Sequence, residues 1–201
     1  MLNVIYTNVA MKLDTTAFGG VVVLILLLTA CSIVRAPTQE ELALLDNPPI
    51  DIRAKQDRLT PLALEWLNET ETNLHKTGEP LSETDIVMAQ AVGVQQPKRV
   101  RVVILTEFPA PENDDLLTEA SKYGLGSEAE GGRTMGYVIM LKKKYANERW
   151  ILAHELVHVA QQEQTGREAF IRRFIAEREL MGYRRAPLEL EANKLALDFM
   201  W

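Results

Sequence analysis

His154 and His158 stand four residues apart, and Glu155 follows the first of them directly. The chain has only three histidines, so two of them fall within one short segment, His154-Glu155-Leu156-Val157-His158. On a helix, residues i and i+4 share a face, and two imidazoles there can reach one ion. Glu155 lies about 100° around the same helix, at the edge of that face, where it meets a bound water rather than the ion. This is the HExxH pattern of metal-dependent hydrolysis. The flanking Trp150, Ile151, Leu152, Leu156, Val157, Val159 and Ala160 suit a buried helix. Two imidazoles placed there without a ligand would be costly, which argues against a surface pair of histidines.

A third ligand has to come from elsewhere. His75 lies at the end of a polar helix tail. The segment Pro187-Leu188-Glu189-Leu190-Glu191-Ala192-Asn193 offers two carboxylates. With Leu188, Ala192, Leu195, Ala196 and Phe199 on the buried side, Glu189 sits near one edge of that face and Glu191 near the other. Only one of them can coordinate, and periodicity favours Glu189, with Glu191 as the alternative.

Residues 150–196, about a quarter of the chain, resemble zincins of the gluzincin type. HtpX-like and CAAX-prenyl-protease-like peptidases carry HExxH and, on a later helix, a Glu followed four residues on by Asp. The helix also resembles a widespread domain of unknown function that reads HELTHVVQQ, against His154 to Gln162 here. The resemblance implies a Zn²⁺ site with His154, His158 and Glu189 as ligands and Glu155 as general base. It implies hydrolysis of peptide bonds in a protein or peptide substrate. Asn193 stands where the family has Asp, so an amide oxygen replaces a carboxylate as the acceptor that fixes a ligand imidazole. The oxyanion of such a reaction needs a further donor, and Tyr183, Arg184 and Tyr137 are the candidates. The strand before the HExxH helix would be the edge on which extended substrate pairs, here residues 134–141, with Gly131-Gly132 leaving room for its backbone.

The elements that position these groups follow from pattern. Thr60-Pro61 reads as a helix start, Ser82 as the cap of a second helix, and residues 100–105 as a strand. Residues 107–130 form a connection with seven acidic residues and one lysine, either solvated or a flap, with a short helix near 116–122. Residues 135–141 read as one apolar strand. Helices follow over 147–164, 168–181 and from 188 onward. The sum is an α+β fold: a mainly helical zincin-like domain with a small antiparallel sheet ahead of the HExxH helix.

The 201 residues are 47% hydrophobic and 25% charged, with a net charge of −6. This composition excludes wholesale disorder, and the lack of basic excess gives nucleic acid no electrostatic footprint. Residues 15–34 carry no charge. Leu28-Thr29-Ala30-Cys31 resembles the lipobox of bacterial lipoproteins, in which the Cys is lipidated and becomes the first residue. It is the chain's single cysteine, so no internal disulfide can form. Ser32 after it implies sorting to the outer membrane; an uncleaved N-terminal transmembrane anchor is the competing reading. The expected organisation is a lipoprotein signal peptide over 1–30, a tether over 31–56 and a zincin-like metallopeptidase domain over 57–201. The expected function is zinc-dependent peptide hydrolysis in the cell envelope. The alternative is a metal-binding adaptor or chaperone-like lipoprotein.

Overall fold

The computed structural model describes residues 35–200. The signal segment 1–30 and Cys31 lie outside them. Among the described residues no helix is long and apolar enough to cross a membrane.

Two helices occupy most of the stretch read as a tether. Helix α1 (Gln39–Asp46) is closed at its start by a capping box: Glu41 N–H donates to Thr38 Oγ1, and Thr38 N–H donates to Glu41 Oε2. Helix α2 (Ile50–His75) begins right after Pro49, where a missing N–H costs nothing. Leu45 and Ile52 are buried against Ala176 and Met181, so an apolar partner far along the chain orders this segment. Thr60-Pro61 is not a helix start, because Pro61 lies within α2. An interior proline costs about 3 kcal/mol. Here Pro61 and Asp57, whose carbonyl it leaves free, both face solvent, while Leu59 and Leu67 bury the opposite side.

Strand β1 (Glu79–Pro80) leads to α3 (Glu83–Ala91), whose Asp85 N–H donates to the Ser82 cap. Strand β2 (Arg101–Leu105), helix α4 (Asp114–Lys122), strands β3 (Gly132–Met135) and β4 (Val138–Lys142) come next. Then follow α5 (Arg149–Thr165), α6 (Arg167–Met181) and α7 (Pro187–Ala196).

The fold is α+β, as expected, but the sheet is mixed rather than antiparallel. Its order is β1-β2-β4-β3. β1–β2 and β3–β4 are antiparallel, whereas β2–β4 is parallel, with Arg101 opposite Val138 and Leu105 opposite Lys142. The connection through α4 is long enough for the crossover that a parallel pair demands. The apolar run 135–141 is not one strand. It folds back at Gly136, whose φ of 62° suits the first position of a two-residue hairpin turn. Nothing in the hydrophobic pattern marks that turn, because Met135, Tyr137 and Val138 to Leu141 continue one apolar run across it.

β4 is buried on both faces. Ile139 and Leu141 join the core under α5, with Val157, Met88 and Ala192. Val138 and Met140 join a second core with Leu59, Leu67 and Ile171 from α2 and α6. The sheet is therefore covered on both sides, and β3 is the strand left at its edge beside α5.

Candidate metal centre

α5 is buried along most of its length, and His154, Glu155 and His158 are all less than a tenth exposed. The two Nε2 atoms face each other 3.1 Å apart. Helix α7 packs on α5 and brings Glu189 to them: its Oε2 lies 3.3 Å from His154 Nε2 and 3.8 Å from His158 Nε2. Glu191 points away and accepts a hydrogen bond from Gln161 Nε2 at 2.8 Å. His75 sits apart, near the Arg99 carbonyl.

The chemistry of this donor set fits a metal ion. Three groups with lone pairs converge so that their ligand atoms lie within 4.8 Å of one another. Glu189 Oε2 is buried and has no hydrogen-bond partner among the described residues. Such a carboxylate needs a cation or a proton between it and the imidazoles. Burial acts to raise the Glu189 pKa, but the two imidazoles outweigh it and hold the carboxyl well below its ordinary range. Burial acts to lower that of His158, but the Glu189 carboxylate outweighs it and holds the imidazole up at about 9.

Gln161 sets the orientation of His158. Its Nε2 donates to the Leu188 carbonyl and to Glu191, so its Oε1 is the atom that faces His158 Nδ1, at 2.8 Å. An acceptor there requires the proton on Nδ1 and leaves the Nε2 lone pair toward the metal position. This is the place expected for Asn193. Asn193 is exposed and, among the described residues, makes no hydrogen bond to either ligand imidazole, while His154 Nδ1 has no partner. Gln161 is one helical turn beyond His158 and reaches it without crossing to another helix, which is why it, and not the α7 residue, takes the role. The sequence reading does not single Gln161 out; its spacing i+3 from a ligand is the signal that could have found it.

Glu155 lies on the β3 side of the metal face. The Thr134 hydroxyl is 2.7 Å from its Oε2 and 2.9 Å from its carbonyl oxygen. A Cβ on Gly132 would stand 2.7 Å from Glu155 Cγ and Oε1. The glycine pair expected to admit substrate backbone thus first admits the Glu155 side chain. The free edge of the sheet is β3, residues 132–135, and not the whole run 134–141.

His154, Glu155, His158 and Glu189 line one wall of a cavity of about 890 Å³. Trp66 from α2 and Phe170, Phe174 and Ile175 from α6 supply apolar walls, and residues 122–125 supply part of the rim. Tyr183, half exposed, lines it too, and burial followed by the Glu189 charge raises its pKa. Arg184 is exposed and Tyr137 donates to Glu163, so neither takes part in the cavity. Arg178 does, although the sequence marks it only as one charge within the helix read over 168–181. Its position four residues after Phe174 and eight after Phe170 was the available signal: a charge in register with the apolar stripe.

Residues 127–166 match the family model described as the eCIS core domain. The matched stretch holds β3, β4 and α5, and with them His154, Glu155 and His158, but ends before Glu189. No curated protein and no solved structure matches the chain. The match and the buried His154, His158 and Glu189 group together point to a metal-dependent protein.

Proposed function

We propose that the chain is a zinc-dependent peptidase anchored in the cell envelope through lipid on Cys31. The observation that carries the reading is Glu155: a buried carboxylate next to the converged donors, held by Thr134 and open to the cavity. A pure metal-binding site has no use for a carboxylate in that position.

His154, His158 and Glu189 would hold the ion, and three protein ligands leave a fourth position open, as catalytic zinc sites require. Bound there, Zn²⁺ supplies a Lewis acid that polarises the substrate carbonyl and makes water acidic enough to be activated near neutral pH. Glu155 takes the proton from that water and returns it to the leaving amine. Thr134 restricts the carboxylate to one position, so little reorganisation precedes proton transfer. An extended peptide pairs along β3, whose outer edge has no strand neighbour, and its side chains enter the apolar cavity.

Glu155→Gln keeps volume and removes the base. The zinc content and melting temperature of the full chain should hold, while hydrolysis of a flexible protein substrate should fall by about 10²–10⁴-fold. Equal hydrolysis by both proteins would refute the assignment. For the anchor, Cys31→Ser should leave an unprocessed chain with no acyl label; unchanged labelling would remove the lipid from the proposal.

A further inference from the structure

The Arg178 side chain is only 7% exposed and lines the metal cavity. Its Nε and Nη1 are closed off from solvent and, among the described residues, have no hydrogen-bond partner. Phe174 lies 4.7 Å from the guanidinium and Tyr183 4.3 Å, so aromatic rings hold the group in place without using its N–H donors. The nearest opposite charge is Glu189 Oε1, 3.6 Å from Nη2 and too far for a hydrogen bond. A buried guanidinium with idle donors is costly unless something else occupies them.

The charges around it point the same way. Once Glu189 is committed to a metal ion, its carboxylate no longer balances Arg178. A divalent ion, Arg178, Glu189 and Glu155 together leave one net positive charge in a largely apolar cavity. The other cations nearby are already matched: Arg133 by Glu130 at 2.6 Å, Lys122 by Glu119 at 2.8 Å and Lys55 by Glu179 at 2.8 Å. One guanidinium without helping lysines suits a carboxylate rather than a doubly charged phosphate. The walls formed by Trp66, Phe170 and Phe174 suit a bulky apolar group attached to it.

We infer that Arg178 is a receptor for a carboxylate borne on an apolar ligand, namely the C-terminal carboxylate of a peptide that ends in a large hydrophobic residue. The inference rests on the metal cavity being the peptide site. It adds that a ligand end, and not only an internal segment, is read there. An acidic side chain close to an apolar residue offers the same chemistry from a second source.

The test is calorimetric titration of the full chain, purified in detergent and loaded with Zn²⁺. The probes are N-acetyl-phenylalanine, its amide, and N-acetyl-glutamyl-phenylalanine amide. The acid should bind about tenfold or more tightly than its amide. Tighter binding of the glutamyl amide than of the acid assigns the carboxylate to a side chain instead of a C-terminus. Arg178→Met should abolish the preference for the acid with zinc content retained. A preference due to the metal alone would survive that substitution and overturn the inference, as would equal binding of acid and amide, or binding of neither, by the wild-type chain. If Arg178→Met does not fold, Arg178→Lys decides: it keeps the charge but loses the planar donor array, so an undiminished preference counts against the assignment. A chain that prefers the acid yet hydrolyses nothing keeps the Arg178 site and loses the peptidase reading. Hydrolysis without acid preference does the reverse.

Discussion

Gly132→Ala tests how Glu155, the proposed general base, is held. The new Cβ would lie 2.7 Å from Glu155 Cγ and Oε1 and 2.9 Å from Cδ. Carbon atoms in contact prefer about 3.5–4.0 Å, so the overlap is about 1 Å. It involves the middle of the Glu155 side chain and not a tip that swings aside. Either Glu155 leaves Thr134 or β3 moves off α5, and in both cases the carboxylate shifts by about the overlap. Forced packing of this kind costs about 1–3 kcal/mol of stability. A catalytic group misplaced by about 1 Å costs about 10²-fold in rate. His154, His158 and Glu189 do not touch Gly132, so metal content should stay at the wild-type level. The assay is zinc content, thermal unfolding and hydrolysis of a flexible substrate, measured on the same preparations. Glu155→Asp shortens the side chain by one methylene. Gly132→Ala should therefore destabilise the Glu155→Asp variant less than the native chain, a coupling that a double-mutant cycle reads directly. Native stability and rate in Gly132→Ala, or additive effects in the cycle, would show that Gly132 is not there to seat Glu155.

His158 gives a pH dependence of definite sign. Its imidazole is held up at about 9, so the pairing with Glu189 stabilises the metal-free protein fully below about 6.5 and is lost as pH rises through about 9. Metal competes with that one proton, and apparent affinity should rise about tenfold per pH unit across this window; a flat profile in a chelator competition would contradict it. Gln161→Leu should weaken metal binding by about 10–100-fold, Glu191→Ala by less, and Glu189→Ala should abolish it. Stronger loss of metal from Glu191→Ala than from Glu189→Ala would reverse the choice of ligand.

The parts of the site that follow helical periodicity were readable from the chain. The pair His154 and His158 share a face by spacing alone, and Glu189 lies on the buried edge of its own helix. What escaped depends on which elements meet. Gln161 is within reach of His158 on one helix, but its amide orientation is set by Leu188 and Glu191 on another. Arg178 looks like a solvated charge until α6 is packed with its aromatic side toward the cavity. The turn at Gly136 is hidden because Met135 and Tyr137 run on into the apolar β4, and a strand buried on two faces loses the alternation that marks strand ends. The order of α1 and of the first turns of α2 comes from Ala176 and Met181, more than a hundred residues away, so prolines in the local sequence suggested a tether.

The parallel pairing of β2 with β4 also bears on how the chain reaches its native state. No tight turn can form that pair. Arg101 must find register with Val138, and Leu105 with Lys142, across a segment that holds α4 and β3, and the entropy of closing that loop is spent before the core contacts return it. Helices α2 and α5 can form locally and early, but neither has a sheet to cover until β4 is in place. During synthesis β2 leaves the ribosome well before its partner, with one long edge open. Topology therefore makes this non-local pairing the step expected to limit refolding, which stopped-flow refolding of a β4 variant would check. The same step puts β3 beside α5, so the wall that seats Glu155 is completed only with that pairing.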